Sequence, residues 1–302
     1  MKALNCFLML AALIAGSCSH NRSTDGYIPV SNGGKIYYTQ TGTDTPLILF
    51  HGHSLDHRMW EPQMEDFAKH FRVIRIDFRG YGRSSSQSET HQFTHLDDII
   101  AVMDSLHIEQ AHIVGLSMGA FVAGDMLAMH PERMLSCVMA SGGIRHAKGP
   151  HQPIDSLESA RRDREIEELK TKGIDVFKAE WLEALIAGGG SRREDMREPL
   201  AAMIADWDAW QPLHKEVRLF WAEEAWQELK IRRPDVPTLM IKGETELKGG
   251  TFAPRELEYL PNGKAVVLPD CGHMMNMEQP ELFNRTVLDF LYSIVQKKGE
   301  SF

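Results

Sequence analysis

The chain has 302 residues, long for one simple core; at roughly 150 residues per domain it has room for about two units. Hydrophobic residues at 43% and charged residues at 25% are ordinary globular values, which excludes wholesale disorder and a fibrous protein. Acidic side chains outnumber basic ones by 42 to 33, a formal charge of -9, which argues against nucleic acid as a partner because phosphate binding wants a basic surface.

The first residues read separately from the fold. Met1 and Lys2 give a positive start, residues 7–15 are uniformly apolar, and Gly16, Ser17 and Cys18 follow. That apolar run is far short of the roughly 20 residues a membrane-spanning helix needs, and its order is that of a secretory signal peptide over 1–17. The Ala15-Gly16-Ser17-Cys18 end resembles the lipobox of bacterial lipoproteins, in which the cysteine becomes the lipidated first residue. It departs from that pattern in having Ala15 where leucine is usual, and a cleaved signal with an incidental cysteine is the alternative. The expectation is export to the periplasm or cell surface, with a lipid anchor on Cys18 as the only membrane contact and 18–26 as a linker. Cys137 and Cys271 remain in the body, both expected as buried thiols at strand-like positions; no C-x-x-C pair suggests a zinc ribbon or redox site.

From residue 26 onward, strands and helices alternate. Asn32-Gly33-Gly34 separates two β-prone runs, 26–30 and 35–39, and predicts a hairpin. The apolar run 47–50 predicts a buried strand, 58–69 a helix and 71–78 a further strand. Leu96, Ile99, Ile100, Met103 and Leu106 recur at the spacing of one buried helix face over 95–106. Residues 111–115 predict a strand, 118–129 a helix and 135–140 a strand. Residues 142–233 show no convincing strand and predict helices over 155–172, 174–186, 194–210 and 216–229, interrupted at Gly188-Gly189-Gly190. Trp207, Trp210, Trp221 and Trp226 cluster there, expected mainly as core with at least one facing a substrate pocket. Strands over 238–241 and 265–268 and a helix over 280–295 complete the chain. Such alternation implies βαβ crossovers and a mostly parallel sheet. The division is a first core part over 27–142, a helical cap over 143–233 and a second core part over 234–296.

The chemistry-bearing residues fall where strands end. Gly115-Leu116-Ser117-Met118-Gly119 is a G-x-S-x-G sequence between a strand and a helix. Such a turn exposes the serine hydroxyl and puts the following amide, Met118 N–H, at a helix N-terminus able to stabilise an oxyanion. A serine nucleophile needs a base and the base an orienting acid. Cys271-Gly272-His273 after the final strand offers His273 as the base; Glu246, third after Gly243, is favoured as the acid over Glu244.

Taken together, His51-Gly52, Asp77-Phe78-Arg79-Gly80-Tyr81-Gly82-Arg83-Ser84, Gly115-Leu116-Ser117-Met118-Gly119 and Gly272-His273 resemble the α/β-hydrolase fold family in order and spacing. The segment from His51 to Ser84, with Met59-Trp60 inside it, most resembles the lactonase, esterase and haloperoxidase-like branch. The resemblance spans roughly 27–295 and is weakest through the cap. It implies an eight-stranded mostly parallel sheet with a helical cap after the sixth strand, a Ser117-His273-Glu246 triad, and an oxyanion hole of the His53 and Met118 backbone N–H groups. The family usually has aspartate where Glu246 stands.

The function implied is hydrolysis of a small carboxylic ester or lactone through an acyl-enzyme, with no cofactor and no metal. His51, His53 and His57 are not taken as a metal cluster, and Asp77 and Arg79 are expected to fix their loop. The same triad would serve a perhydrolase or a C–C bond hydrolase; a ligand-binding member of the fold without catalysis is the remaining alternative. Ser117 in place of aspartate argues against dehalogenase or epoxide hydrolase chemistry. Substrate identity and oligomeric state are not legible.

Overall fold

The computed structural model describes residues 23–145, 156–215, 218–219 and 222–299. The expected leader and Cys18 lie outside the described residues. The strands are β1 Thr24–Pro29, β2 Lys35–Thr41, β3 Pro46–Phe50, β4 Arg72–Ile76, β5 Phe93–Thr94, β6 Ala111–Leu116, β7 Met134–Ala140, β8 Arg218–Leu219, β9 Thr238–Gly243 and β10 Gly263–Leu268. The α-helices are α1 Glu61–Phe67, α2 His95–Ser105, α3 Met118–Met129, α4 Ser156–Lys172, α5 Ile174–Ala187, α6 Arg197–Asp206, α7 Trp210–Leu213, α8 Ala222–Arg232, α9 Met275–Glu278 and α10 Pro280–Gly299.

Eight strands form one sheet in the order β1-β2-β4-β3-β6-β7-β9-β10. The hairpin β1–β2 is antiparallel, β2 is antiparallel to β4, and the remaining neighbours are parallel. The alternation predicted the mostly parallel sheet, and its eight strands are what the resemblance to the α/β-hydrolase fold implied. The chain steps from β3 to β4 on one side, then returns to place β6 on the other side of β3, with Phe50 opposite Gly115. Such a reversal opens a crevice beyond the carboxyl ends of the strands, the usual ligand position in open α/β sheets. The turns after β3 and β6, which carry His53 and Ser117, meet there.

Alternation along β3 explains the two-sided core. Ile48 and Phe50 face a layer with Leu96, Ile99, Val122 and Met126 from α2 and α3, whereas Leu47 and Leu49 face a layer with Phe67 of α1 and Val287 and Leu291 of α10. Both strand faces are buried, so the segment reads as a continuous apolar run rather than as alternating polarity.

Several expectations need correction. The helix expected over 58–69 starts as a 3₁₀ turn, His57–Trp60, because Asp56 accepts from Arg58 N–H at 2.9 Å, and the α-helix begins only at Glu61 beside Pro62. The stretch expected to hold no strand contains β8, a two-residue parallel pairing with β5 outside the main sheet. The helix expected over 194–210 is divided: α6 ends at Asp206, and Ala209 with φ 54° separates it from α7. Ala225 and Leu229 of α8 are fully buried in the layer that contains α3. The helix α8 therefore belongs to the sheet's own flank, and the excursion over the strand ends is carried by α4 to α7. Cys271 lies in the loop after β10 rather than on a strand; it is buried and free, as is Cys137 in β7.

Candidate active site

Ser117 sits between β6 and α3 with φ 55° and ψ -114°, dihedrals an L-residue rarely adopts. The turn exists because its neighbours lack side chains. A Cβ on Gly115 would lie 2.2 Å from Gly119 O, and one on Gly119 would lie 2.1 Å from Phe50 O. Ser117 N–H donates to Ala140 O at 2.9 Å and its carbonyl accepts from Phe121 N at 3.1 Å, so the strained residue is held from both sides. Met118 is the first residue of α3, where aligned backbone dipoles favour negative charge.

The loop after β3 runs beside the serine. A Cβ on Gly52 would be 3.6 Å from Ser117 Cβ. His51 is wholly buried: its Nε2 accepts from Phe78 N–H at 2.9 Å, which leaves the proton on Nδ1, 2.7 Å from Gly52 O. Burial lowers the His51 pKa, with Asp77 opposing the shift, and the neutral ring latches the loop to the end of β4. His53 follows, its Nδ1 2.7 Å from Tyr81 Oη, and Ser54 has φ 65°.

His273 and Glu246 come from the loops after β10 and β9. These loops pass so closely that a Cβ on Gly243 would be 2.4 Å from Gly272 O. His273 Nδ1 is 2.8 Å from Glu246 Oε1. Lys242 Nζ donates to the same oxygen at 3.0 Å, and the other oxygen accepts from Ser141 Oγ at 2.5 Å and Gly243 N at 3.4 Å. Burial would raise the Glu246 pKa, but hydrogen bonds from His273 and Ser141, with a smaller one from Lys242, more than reverse this and hold it at about 2. Glu244 faces elsewhere, accepting Asp270 N–H at 3.0 Å. Among the described residues no hydrogen bond joins the Ser117 and His273 side chains; such contacts are often long until a substrate tightens them.

A cavity of about 350 Å³ beside His273 is lined by Trp181 and Leu185 of α5 together with Thr245, Glu246 and Lys248. A cavity of about 430 Å³ lies at the opposite ends of the strands, among Met134, Val236, Phe290 and Ile294, away from all of these groups.

A family model described as alpha/beta hydrolase fold matches residues 45–280. The chain belongs to the alpha/beta hydrolase fold family. This alpha/beta hydrolase is 29% identical over 288 residues to a 2-hydroxy-6-oxononadienedioate/2-hydroxy-6-oxononatrienedioate hydrolase of Paraburkholderia phymatum, covering 89% of this chain and 96% of that protein. It is 28% identical over 269 residues to a putative non-heme bromoperoxidase of Mycobacterium tuberculosis, covering 86% and 98%. Among solved structures, it is similar to the enol-lactonase from Burkholderia xenovorans LB400, with a TM-score of 0.63, 26% identity and coverage of 88% of this chain and 100% of that one. A thermophilic esterase from Thermogutta terrifontis shares the fold with a TM-score of 0.69 at 24% identity, covering 90% and 99%.

The remaining motif residues of this alpha/beta hydrolase are structural in their contacts. Asp77 Oδ1 accepts from His57 N–H at 2.7 Å and lies 2.8 Å from His57 Nδ1, while Oδ2 accepts from Arg83 N–H at 2.8 Å. Ligand atoms of Asp56, His57 and Asp77 lie within 4.8 Å of one another, but these carboxylates are already committed to His57, Arg83 and Arg58 as donors. Arg79 forms a buried pair with Asp98, Nη2 to Oδ1 2.6 Å. Ser141, Lys242 and Trp181 were not marked by any motif: Ser141 and Trp181 act on groups more than 100 residues away, which nothing in the local sequence reports, whereas Lys242 lies only four residues from Glu246 and was within reach of a local reading.

Proposed function

We propose that the protein is a serine hydrolase that cleaves a carboxylic ester or lactone through Ser117, His273 and Glu246. The observations that support the reading are a strained serine at the head of α3 and, on the loops after β9 and β10, a histidine whose Nδ1 lies 2.8 Å from the half-buried Glu246 carboxylate. With Nδ1 held by Glu246, Nε2 is the nitrogen left to take the Ser117 proton, and Oγ attacks the substrate carbonyl. The oxyanion is assigned to the His53 and Met118 backbone N–H groups; one such donor lowers the barrier by about 2.7–4 kcal/mol in serine hydrolases. The imidazolium then protonates the leaving alcohol, and water attacks the acyl-enzyme by the reverse route. Glu246, kept ionised by its donors, orients the ring and stabilises its positive form.

The cavity wall of Trp181 and Leu185 gives the acyl or alcohol group an apolar surface. No cofactor enters the proposed route. Export through the leader, with lipid attachment at Cys18, is part of the same proposal and rests on the sequence alone. A second reading, the same triad cleaving a carbon–carbon bond, draws on the 29% identical relative named as a hydrolase of unsaturated oxo-diacids.

The test is the intact mass after exposure to a fluorophosphonate, with Ser117→Ala and His273→Ala alongside. One adduct on the wild-type chain, absent from both variants, supports an activated serine; no adduct on folded protein overturns it. A panel of esters, lactones and a 2-hydroxy-6-oxo-dienoic acid then separates the two readings.

A further inference from the structure

Helix α5 of the cap makes a contact that the proposed chemistry does not use. Its Trp181 Nε1–H donates to Ser54 Oγ at 2.7 Å, and the same hydroxyl donates to His53 O at 2.5 Å. Ser54 therefore passes a hydrogen bond from the cap to the backbone of the residue assigned to the oxyanion hole. The position is conformationally costly: φ at Ser54 is 65°, a left-handed value that a non-glycine residue holds only when its surroundings impose it.

The His53 ring is fixed by the same group of side chains. Its centroid lies 6.0 Å from Trp181, 5.1 Å from Trp207 and 5.6 Å from Tyr81, edge to face in each case. Trp207 also comes from the insertion, and it is anchored in turn, since its Nε1 donates to Gln211 Oε1 at 2.8 Å and Gln211 Nε2 donates to Gly80 O at 2.8 Å. Trp181 also lines the cavity beside His273. One indole thus borders the base's cavity and braces the loop that carries the oxyanion donor.

We propose that Trp181 is a positioning residue: through Ser54 Oγ, the cap sets the dihedrals of His53 and Ser54 so that the His53 N–H meets the developing oxyanion. This rests on the serine hydrolase reading, and it makes the cap part of the catalytic apparatus rather than only a specificity wall. Preorganised donors lose most of their value when displaced by even about 1 Å, which costs on the order of 10²-fold in rate. Phenylalanine at 181 keeps an aromatic ring near His53 but removes the N–H together with the second ring of the indole, whereas Ser54→Ala breaks the same chain of hydrogen bonds and leaves the indole in place.

The test compares wild type, Trp181→Phe, Ser54→Ala and the double variant, each checked for folding by its melting curve. The expected result is a fall in kcat of about tenfold or more for each single variant, with KM within about twofold. The double variant should be no slower than the slower single one, because both break the same chain. Affinity for a boronic acid, which forms a tetrahedral adduct on serine, should fall in step with kcat/KM. A raised KM at unchanged kcat, or losses that multiply in the double variant, overturns the proposal and leaves Trp181 as pocket wall. Amide exchange over residues 51–58 needs no activity and should quicken in Trp181→Phe; unchanged exchange also overturns it. If wild type neither hydrolyses an ester nor takes the fluorophosphonate, the hydrolase reading fails, while the exchange comparison still decides whether the cap holds this loop.

Discussion

Glu246 Oε1 lies 2.8 Å from His273 Nδ1, and the carboxylate is the more buried partner, with 14% of its side chain exposed against 32% for the imidazole. A glutamate stem is one methylene longer than the aspartate usual at this place in the fold. The extra reach is absorbed by the 3₁₀ turn Glu244–Leu247, which turns the side chain back over its own strand toward Lys242 and Ser141. The Glu246 carboxylate is thereby held by side chains at two neighbouring strand ends, β7 and β9, as well as by the histidine.

That network makes stability depend on acid. The Glu246 pKa falls from 4.5 in the unfolded chain to about 2 in the fold, so its contribution is fully present above about pH 4.5 and disappears as pH drops toward 2. The difference corresponds to about 3 kcal/mol. Urea unfolding of wild type between pH 7 and pH 2 should lose on this order more than Glu246→Gln does over the same range. Parallel curves for the two proteins would show that the carboxylate is not held as described.

Glu246→Gln should leave KM nearly unchanged and reduce kcat by about 10³–10⁴-fold, because an amide can donate to Nδ1 and favour the wrong tautomer. Glu246→Asp restores the charge but shortens the stem, and its recovery should be partial, with Ser141 and Lys242 left reaching for a withdrawn carboxylate. Steady-state kinetics on one ester measures both. Full activity of the glutamine variant would remove Glu246 from the triad.

The main framework was legible because it rests on local patterns. Apolar runs such as 47–50, flanked by turn residues, reported the central strands, and the glycines around Ser117 reported a backbone close approach that no other residue permits. The pairing of Glu246 with His273 was readable by position even though aspartate is the family's usual residue there. What escaped depends on distant partners. The helix expected over 194–210 breaks where Ala209 takes φ 54°, a dihedral its residue type does not announce, and a two-residue strand such as β8 has no period to detect. Trp181 looks like any apolar helix position until Ser54, 127 residues earlier, is folded against it.

Glu278 offers a test of how the histidine loop is held. Its side chain is fully buried, with one oxygen accepting Gly272 N–H at 2.8 Å and the other accepting Gly190 N–H from the loop after α5. Glu278→Ala would leave the buried Gly272 N–H without its acceptor, at about 1–3 kcal/mol, and the half-buried Gly190 N–H without its partner at a smaller cost. Chemical denaturation should therefore show a loss of about 1–4 kcal/mol, and residual activity at low temperature should fall through kcat, since Gly272 adjoins His273. A loss below about 1 kcal/mol would mean that water or a backbone shift replaces the carboxylate readily.

Strain at Ser117 predicts that this serine and the stability of the fold pull in opposite directions. With φ at 55° and ψ at -114°, any side chain at this position is disfavoured, and only glycine takes such dihedrals freely. Ser117→Ala removes the hydroxyl and keeps the Cβ, whereas Ser117→Gly removes both. Glycine loses about 0.5–1 kcal/mol through unfolded-state entropy, but relief of the strained conformation is worth about 1–3 kcal/mol. The glycine variant should therefore be more stable than the alanine variant by about 1 kcal/mol, with both inactive. Differential denaturation of the two reads the strain directly. An alanine variant as stable as glycine would show that the elbow costs the fold nothing, and that the glycines at 115 and 119 relieve its whole geometry.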